Sequence, residues 1–173
     1  GYSNTGLGYS SLNSNTTGTQ NTAVGQGSMN DNTTGSSNCA FGVYSLANNS
    51  IGTLNSAFGT QSLNSNTTGL HNTSVGAYSL VLNTTGSFNT AVGYYALYHS
   101  TSGSNTAVGY YALTSTTTGF RVTAVGYKSL EDNTTGDDNT SLGYNTLLNS
   151  TIGNENTAIG SLTGENVTTG SNL

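Results

Sequence analysis

The chain has 173 residues, 24 of them Gly and none Pro or Trp, with 2 basic and 7 acidic side chains and a formal net charge of -5. Only 5% of it is charged, against about a quarter in an ordinary soluble domain. This excludes disorder driven by charge repulsion and leaves nothing to neutralise a phosphate backbone, so no nucleic-acid partner is expected. No apolar run approaches the roughly 20 residues that span a membrane, no signal peptide is legible, and the single Cys, Cys39, cannot form a disulfide within the chain.

Read from the first residue, the sequence is one repeated unit. Taking the Asn of each N-T-A-V-G-like motif as position 1, units begin at Asn4, Asn21, Asn38, Asn55, Asn72, Asn89, Asn105, Val122, Asn139 and Asn156. Every step is 17 residues except Asn89 to Asn105, which is 16. The consensus is N-T-A-V-G-x-x-S-L-x-x-N-T-T-G-x-x. That period is too short for a helical hairpin repeat, and two Gly per unit disfavour helix further.

Position 5 is Gly8, Gly25, Gly42, Gly59, Gly76, Gly93, Gly109, Gly126, Gly143 and Gly160. These are the predicted structural corners, where the backbone needs positive φ or close approach. Position 15 is Gly as well, from Gly18 to Gly170, with Gly103 taken as its member in the short unit. Position 4 is always apolar (Leu7, Val24, Phe41, and so on to Ile159), and position 9 is Leu or Met from Leu12 to Leu147. These two columns are expected to form a thin apolar spine.

Each unit therefore reads as a strand at positions 1–4, a corner at Gly, a second strand at positions 6–10, and a type I turn at N-T-T-G. The fold class that follows is all-β: a parallel β-solenoid or β-roll of about ten coils, one array over residues 1–173. Stacked in register at about 4.8 Å, identical side chains form ladders, and the position 1 Asn is expected to bond up and down inside, with Val122 a break. One coil alone buries too little to offset its ordering. Stacking and neighbouring chains must contribute, and the small residues at positions 3 and 8 would let another sheet approach. Gly1 sits at position 15 of a preceding unit and Leu173 at position 1 of a following one. The expectation is a piece of a longer array, or a protomer stacking end to end.

The segments Gly86–Leu97 and Gly103–Leu113, built on G-S-x-N-T-A-V-G-Y-Y-A-L, resemble phage-type tail-fibre repeats, which often precede a self-cleaving intramolecular chaperone domain. More distantly, the unit is similar to head repeats of trimeric autotransporter adhesins of the YadA type, with an N-S-x-A-I-G core in a left-handed parallel β-roll. The resemblance covers the whole chain. It implies a trimeric, fibrous protein exposed on a cell or virion surface. Self-association, as a homotrimer or an end-to-end filament, is the partner expected.

Several surface chemistries are candidates. Sequons place possible N-glycans at Asn15, Asn32, Asn66, Asn83 and Asn133, at position 12 of the N-T-T-G corner, and at Asn48, Asn149 and Asn166 beside it. Asn72 and Asn139 also lie in sequons, but at position 1, where burial is expected. A sugar coat would hydrate a nearly uncharged surface, although N-T-T is also ordinary turn chemistry. Tyrosines cluster at positions 6 and 7 (Tyr44, Tyr78, Tyr94, Tyr95, Tyr110, Tyr111, Tyr127, Tyr144) and could stack on one another or on glycans, the route to an adhesin or receptor-binding fibre. Thr columns at position 2 raise an ice-binding solenoid as a further alternative, unless they turn inward with position 4.

Glu131, Asp132, Asp137 and Asp138 surround one corner. They read as a solvated loop, since the G-G-x-G-x-D calcium repeat is absent and no metal site is expected. His71 and His99 lie in different units with no catalytic partner. No enzyme activity and no cofactor are expected. The reading is a structural segment of an extracellular or virion-surface fibre.

Overall fold

The computed structural model describes residues 1–173 as an all-β chain without a helix. Its strands are β1 (Thr5–Leu7), β2 (Thr22–Val24), β3 (Cys39–Phe41), β4 (Ser56–Phe58), β5 (Thr73–Val75), β6 (Thr90–Val92), β7 (Thr106–Val108), β8 (Thr123–Val125), β9 (Thr140–Leu142) and β10 (Thr157–Ile159). They form one ten-stranded sheet in sequence order, parallel throughout, with like residues paired: Thr22 on Cys39, Ala23 on Ala40, Val24 on Phe41. The β-solenoid predicted from the repeat is the fold observed. Its rungs climb roughly 43 Å at the usual strand spacing.

The strands are only positions 2–4, because the chain cannot stay extended past the corner. Gly42, at φ 141°, occupies a backbone region closed to L side chains. The predicted second strand over positions 6–10 is instead two consecutive turns. Ser45 N–H donates to Gly42 O (3.3 Å) and Asn49 N–H to Leu46 O (3.3 Å). Residues at positions 7, 9 and 17 adopt left-handed backbone, as Tyr44 (φ 54°), Leu46 (φ 50°) and Leu54 (φ 59°) do. That conformation is costly for a β-carbon and persists because the rungs above and below over-determine it. Only 18 of 109 backbone hydrogen bonds lie within the strands, yet the turns bond from rung to rung just as the strands do. Met29 N–H donates to Ser45 O (3.0 Å), Asp31 N–H to Ala47 O (2.8 Å) and Tyr44 N–H to Gln26 O (2.8 Å).

The core corrects the expected spine. Position 9 is inside, with Met29, Leu46, Leu63, Leu80, Leu97, Leu113 and Leu130 at 0% exposure. Position 4 points out: Phe41 is 38% exposed, Val75 38% and Leu142 46%. A three-residue strand alternates its side chains, so position 3 takes the inner face, and Ala23, Ala40, Ala57 and Ala91 are buried. Positions 3 and 8 therefore line the lumen and do not form a docking face for another chain. The lumen is too narrow for a large residue at position 3 beside the Leu column and two Asn columns.

Both Asn columns are interior. At position 1, Asn38 N–H and Nδ2 donate to Asn21 Oδ1 (3.0 and 3.2 Å), and Asn38 Nδ2 also donates to Gly52 O (2.8 Å) across the coil. This is the ladder expected there. Val122 keeps its own N–H on Asn105 Oδ1 (2.9 Å) but has no carboxamide to pass the ladder on. At position 12, Asn49 Nδ2 donates to Asn32 Oδ1 (2.7 Å) and to Gly52 O (3.0 Å). That side-chain bond replaces the i to i+3 backbone bond of the predicted type I turn. The N–H groups of Thr33, Thr34 and Gly35 instead converge on Ser50 O of the next rung at 3.0, 3.1 and 3.2 Å. In the 17-residue units position 15 needs Gly for space: a β-carbon on Gly52 would lie 2.6 Å from Gly69 O.

The 16-residue unit loses its residue in this outer turn. Asn89 Nδ2 donates to Ser102 O (2.8 Å), the carbonyl that Gly supplies elsewhere, and Gly103 stacks beside Ser87. Ser102 therefore holds the position 15 place and Gly103 holds position 16, one place on from the sequence alignment.

Candidate functional site

The inward turn of position 12 changes the glycosylation sites. Asn32, Asn66, Asn83 and Asn133 are fully buried, and their Nδ2 atoms donate within the lumen: Asn66 to Asn49 Oδ1 (2.8 Å), Asn83 to Asn66 Oδ1 (3.1 Å), Asn133 to Gly136 O (3.1 Å). A glycan on any of these nitrogens is incompatible with the closed coil. Asn72 and Asn139 are buried as expected. Asn15 is half-buried at the first rung, where its Oδ1 accepts from Asn32 Nδ2 (2.8 Å). Asn149 is half-buried and donates to Glu165 O (2.7 Å), whereas Asn48 and Asn166 are exposed. Of the eight sequons proposed, those two offer the most accessible carboxamides.

The outer face of the sheet is a surface that sequence reasoning placed inside. Thr at position 2 and the apolar residue at position 4 both face out, giving the rows Thr73–Val75, Thr90–Val92, Thr106–Val108 and Thr123–Val125, stacked in register. Phe41 and Phe58 continue the apolar column and stack on each other at 5.4 Å. Cys39 lies in the Thr column, and desolvation pushes its thiol up, so it stays protonated at neutral pH. One signal for this orientation was present. Position 3 holds only Gly, Ala or Ser, while position 4 ranges from Val to Phe. A column that tolerates such changes in volume lies outside a close-packed lumen.

The tyrosines form a ribbon beside the corner. At position 6, Tyr94, Tyr110, Tyr127 and Tyr144 stack with centroids 5.5, 5.3 and 5.3 Å apart. At position 7, Tyr95 stacks on Tyr111 at 5.1 Å, and Tyr98 lies 4.7 Å from Tyr95. The left-handed backbone at position 7 sets adjacent side chains next to each other, so Tyr94 and Tyr95 lie 4.5 Å apart, as do Tyr110 and Tyr111. Desolvation by the surrounding rings, then the neighbouring phenols, pushes Tyr94 and Tyr111 up, keeping both protonated at neutral pH. Stacking covers the faces of the inner rings.

The acidic cluster is divided among ordinary partners. Asp138 pairs with Arg121 at 2.6 Å and Glu131 with Lys128 at 3.0 Å, while Asp137 Oδ1 accepts from Phe120 N–H (2.8 Å). The Arg121 hydrogen bonds hold Asp138 below the usual carboxylate range. No three His, Cys, Asp or Glu side chains converge as a metal set would. His71 stacks on Phe88 (5.2 Å) and His99 meets the Tyr98 ring edge-on (4.8 Å). No helix is long and apolar enough to cross a membrane. No family model matches the chain, and neither a curated protein nor a solved structure matches it.

Proposed function

We propose that the chain is a structural rod segment of an extracellular or virion-surface fibre, and that its partner is another copy of itself. The observation that carries this reading is the outward sheet face, whose position 2 and position 4 columns stack in register from rung to rung, with unbroken Thr and Val over four of them. Such a face suits another regular, in-register surface, and the repeat itself supplies one. A homotrimer is the assembly the family resemblance implies, and the outward position 4 columns are the faces that would meet in it. The exposed sequons Asn48 and Asn166 are where a sparse glycan coat would attach. The reading assigns no chemistry to the chain and no cofactor.

Sedimentation of the whole chain tests it. The native protein should associate, and Val92→Lys with Val108→Lys should yield a monomer with an unchanged far-ultraviolet spectrum. A native chain that stays monomeric at high concentration removes the self-associating fibre.

The four consecutive Thr–Val rows also support a second reading, an ice-binding face, because both columns point into solvent. Its readout is thermal hysteresis by the monomeric chain. The adhesin reading through tyrosine is less supported, since stacking uses the ring faces a sugar would need.

A further inference from the structure

The tyrosine ribbon is more than the apolar cover of a corner. Eight phenols, Tyr78, Tyr94, Tyr95, Tyr98, Tyr110, Tyr111, Tyr127 and Tyr144, form one connected array with no gap between ring centroids above 6.0 Å. Tyr94, Tyr110, Tyr127 and Tyr144 are 40%, 45%, 42% and 52% exposed, so a bulky reagent can reach the array from outside. The rings that face each other across rungs are nearly parallel: 7° for Tyr95–Tyr111, 5° for Tyr110–Tyr127 and 10° for Tyr127–Tyr144. Their centroids lie 5.1, 5.3 and 5.3 Å apart, so each phenol has its coupling partner as an immediate neighbour on the next rung. The backbone hydrogen bonds on either side of the ribbon hold it in register. Gly109 N–H donates to Val92 O (2.8 Å), Tyr111 N–H to Tyr94 O (3.0 Å) and Lys128 N–H to Tyr110 O (2.9 Å).

We propose that this ribbon is an oxidative cross-linking site, at which a haem-peroxidase-class oxidant with hydrogen peroxide couples tyrosines of successive rungs into dityrosine. Each phenol loses one electron and one proton. The two phenoxyl radicals, whose spin density lies on the ortho carbons, form a carbon–carbon bond, and the ring hydrogens return to the phenol oxygens on rearomatisation. The peroxide takes up both electrons and both protons and leaves as two waters. Coupling inside the ribbon is favoured because the second ring is already within contact, which converts a bimolecular encounter into an intramolecular step. The connected array also lets a radical formed on an exposed edge ring, such as Tyr144, move to a neighbour before coupling. The product ties rung to rung covalently, outside the lumen and without displacing any interior ladder. The proposal is independent of the fibre reading, because the coupling lies within one chain.

The test is to treat the folded full-length chain, at high dilution, with a haem peroxidase and hydrogen peroxide. The products are followed by dityrosine fluorescence, intact mass, denaturing gel and peptide mapping. The expected product runs as a single chain, is lighter by two hydrogens per link, and carries links between Tyr94 and Tyr110, Tyr110 and Tyr127, Tyr127 and Tyr144, or Tyr95 and Tyr111. The pair Tyr110→Phe with Tyr111→Phe keeps the stacked rings but cannot form phenoxyl, and should lose most of the intrachain fluorescence. The same treatment of the chain in denaturant should lose the pair selectivity. Fluorescence only in multimers, links shared equally with Tyr2 and Tyr9, or the same link map from the unfolded chain would each overturn the proposal.

Discussion

The first five rungs and the last five are built on the same unit but are held together differently. In the lower half, position 12 is Asn15, Asn32, Asn49, Asn66 and Asn83 without interruption, position 8 is Ser throughout, and Asp31 is the one charged side chain. In the upper half, position 12 reads Ser100, Thr116, Asn133, Ser150 and Val167, and position 1 is broken at Val122. The buried polar atoms left without a partner, Asn83 Oδ1, Asn133 Oδ1, Asn145 Oδ1 and Ser150 Oγ, all belong to the upper half or its border. Asn83 and Asn133 each lie one rung below a serine too short to reach them. The same half carries the stacked tyrosines and both ion pairs. Cohesion between rungs thus comes from interior carboxamides below and is supplemented on the outer surface above. The repeat tolerates loss inside where the exterior links the same neighbours.

What the halves share should be the most damaging to remove. A β-carbon on Gly59 would lie 2.6 Å from Gly76 O, and one on Gly143 would lie 2.5 Å from Gly160 O, with φ at 136° and 145°. Gly59→Ala and Gly143→Ala should each cost about 1–3 kcal/mol for the backbone strain and about 1–3 kcal/mol more for the overlap, equally in both halves, as read from urea midpoints. A large difference between them would mean that the corner is not common to the whole rod.

Changes to the ladder should separate the halves. Asn66→Ala removes bonds to Asn49 and Gly69 and takes one of two acceptors from Asn83 Nδ2, which keeps Gly86 O, a loss of about 1–3 kcal/mol. Ser100→Asn should act in the opposite sense, offering Nδ2 to Asn83 Oδ1 and gaining about 1 kcal/mol. If Ser100→Asn destabilises, the upper lumen has adapted to the smaller residue.

The smallest effect belongs to the exposed pair Arg121–Asp138. Asp138 has a lowered folded pKa, so whatever stability the pair adds is present above the usual carboxylate range and is lost as pH falls through that lowered value. Arg121→Ala should flatten this acid limb of the stability profile and leave neutral pH nearly unchanged, because exposed pairs contribute little.

The corner at position 5, the parallel register and the position 1 ladder were legible because a fixed period in sequence becomes translation along one axis in space. Position 9 could be assigned to the core on hydrophobicity alone. Position 4 could not, because hydrophobicity does not state which side of a three-residue strand is the lumen. The sequons misled for a related reason. N-T-T-G has the composition of an exposed turn, while its Asn is consumed inside by the rung below and the Gly three residues on.

The amino-acid order by itself determined that this chain repeats, that it bends at glycine, and that like residues stack. Only the tertiary structure decided which columns face inward. A 17-residue coil encloses so little volume that small and carboxamide side chains fill it beside one Leu, leaving Thr, Val and Tyr to the surface.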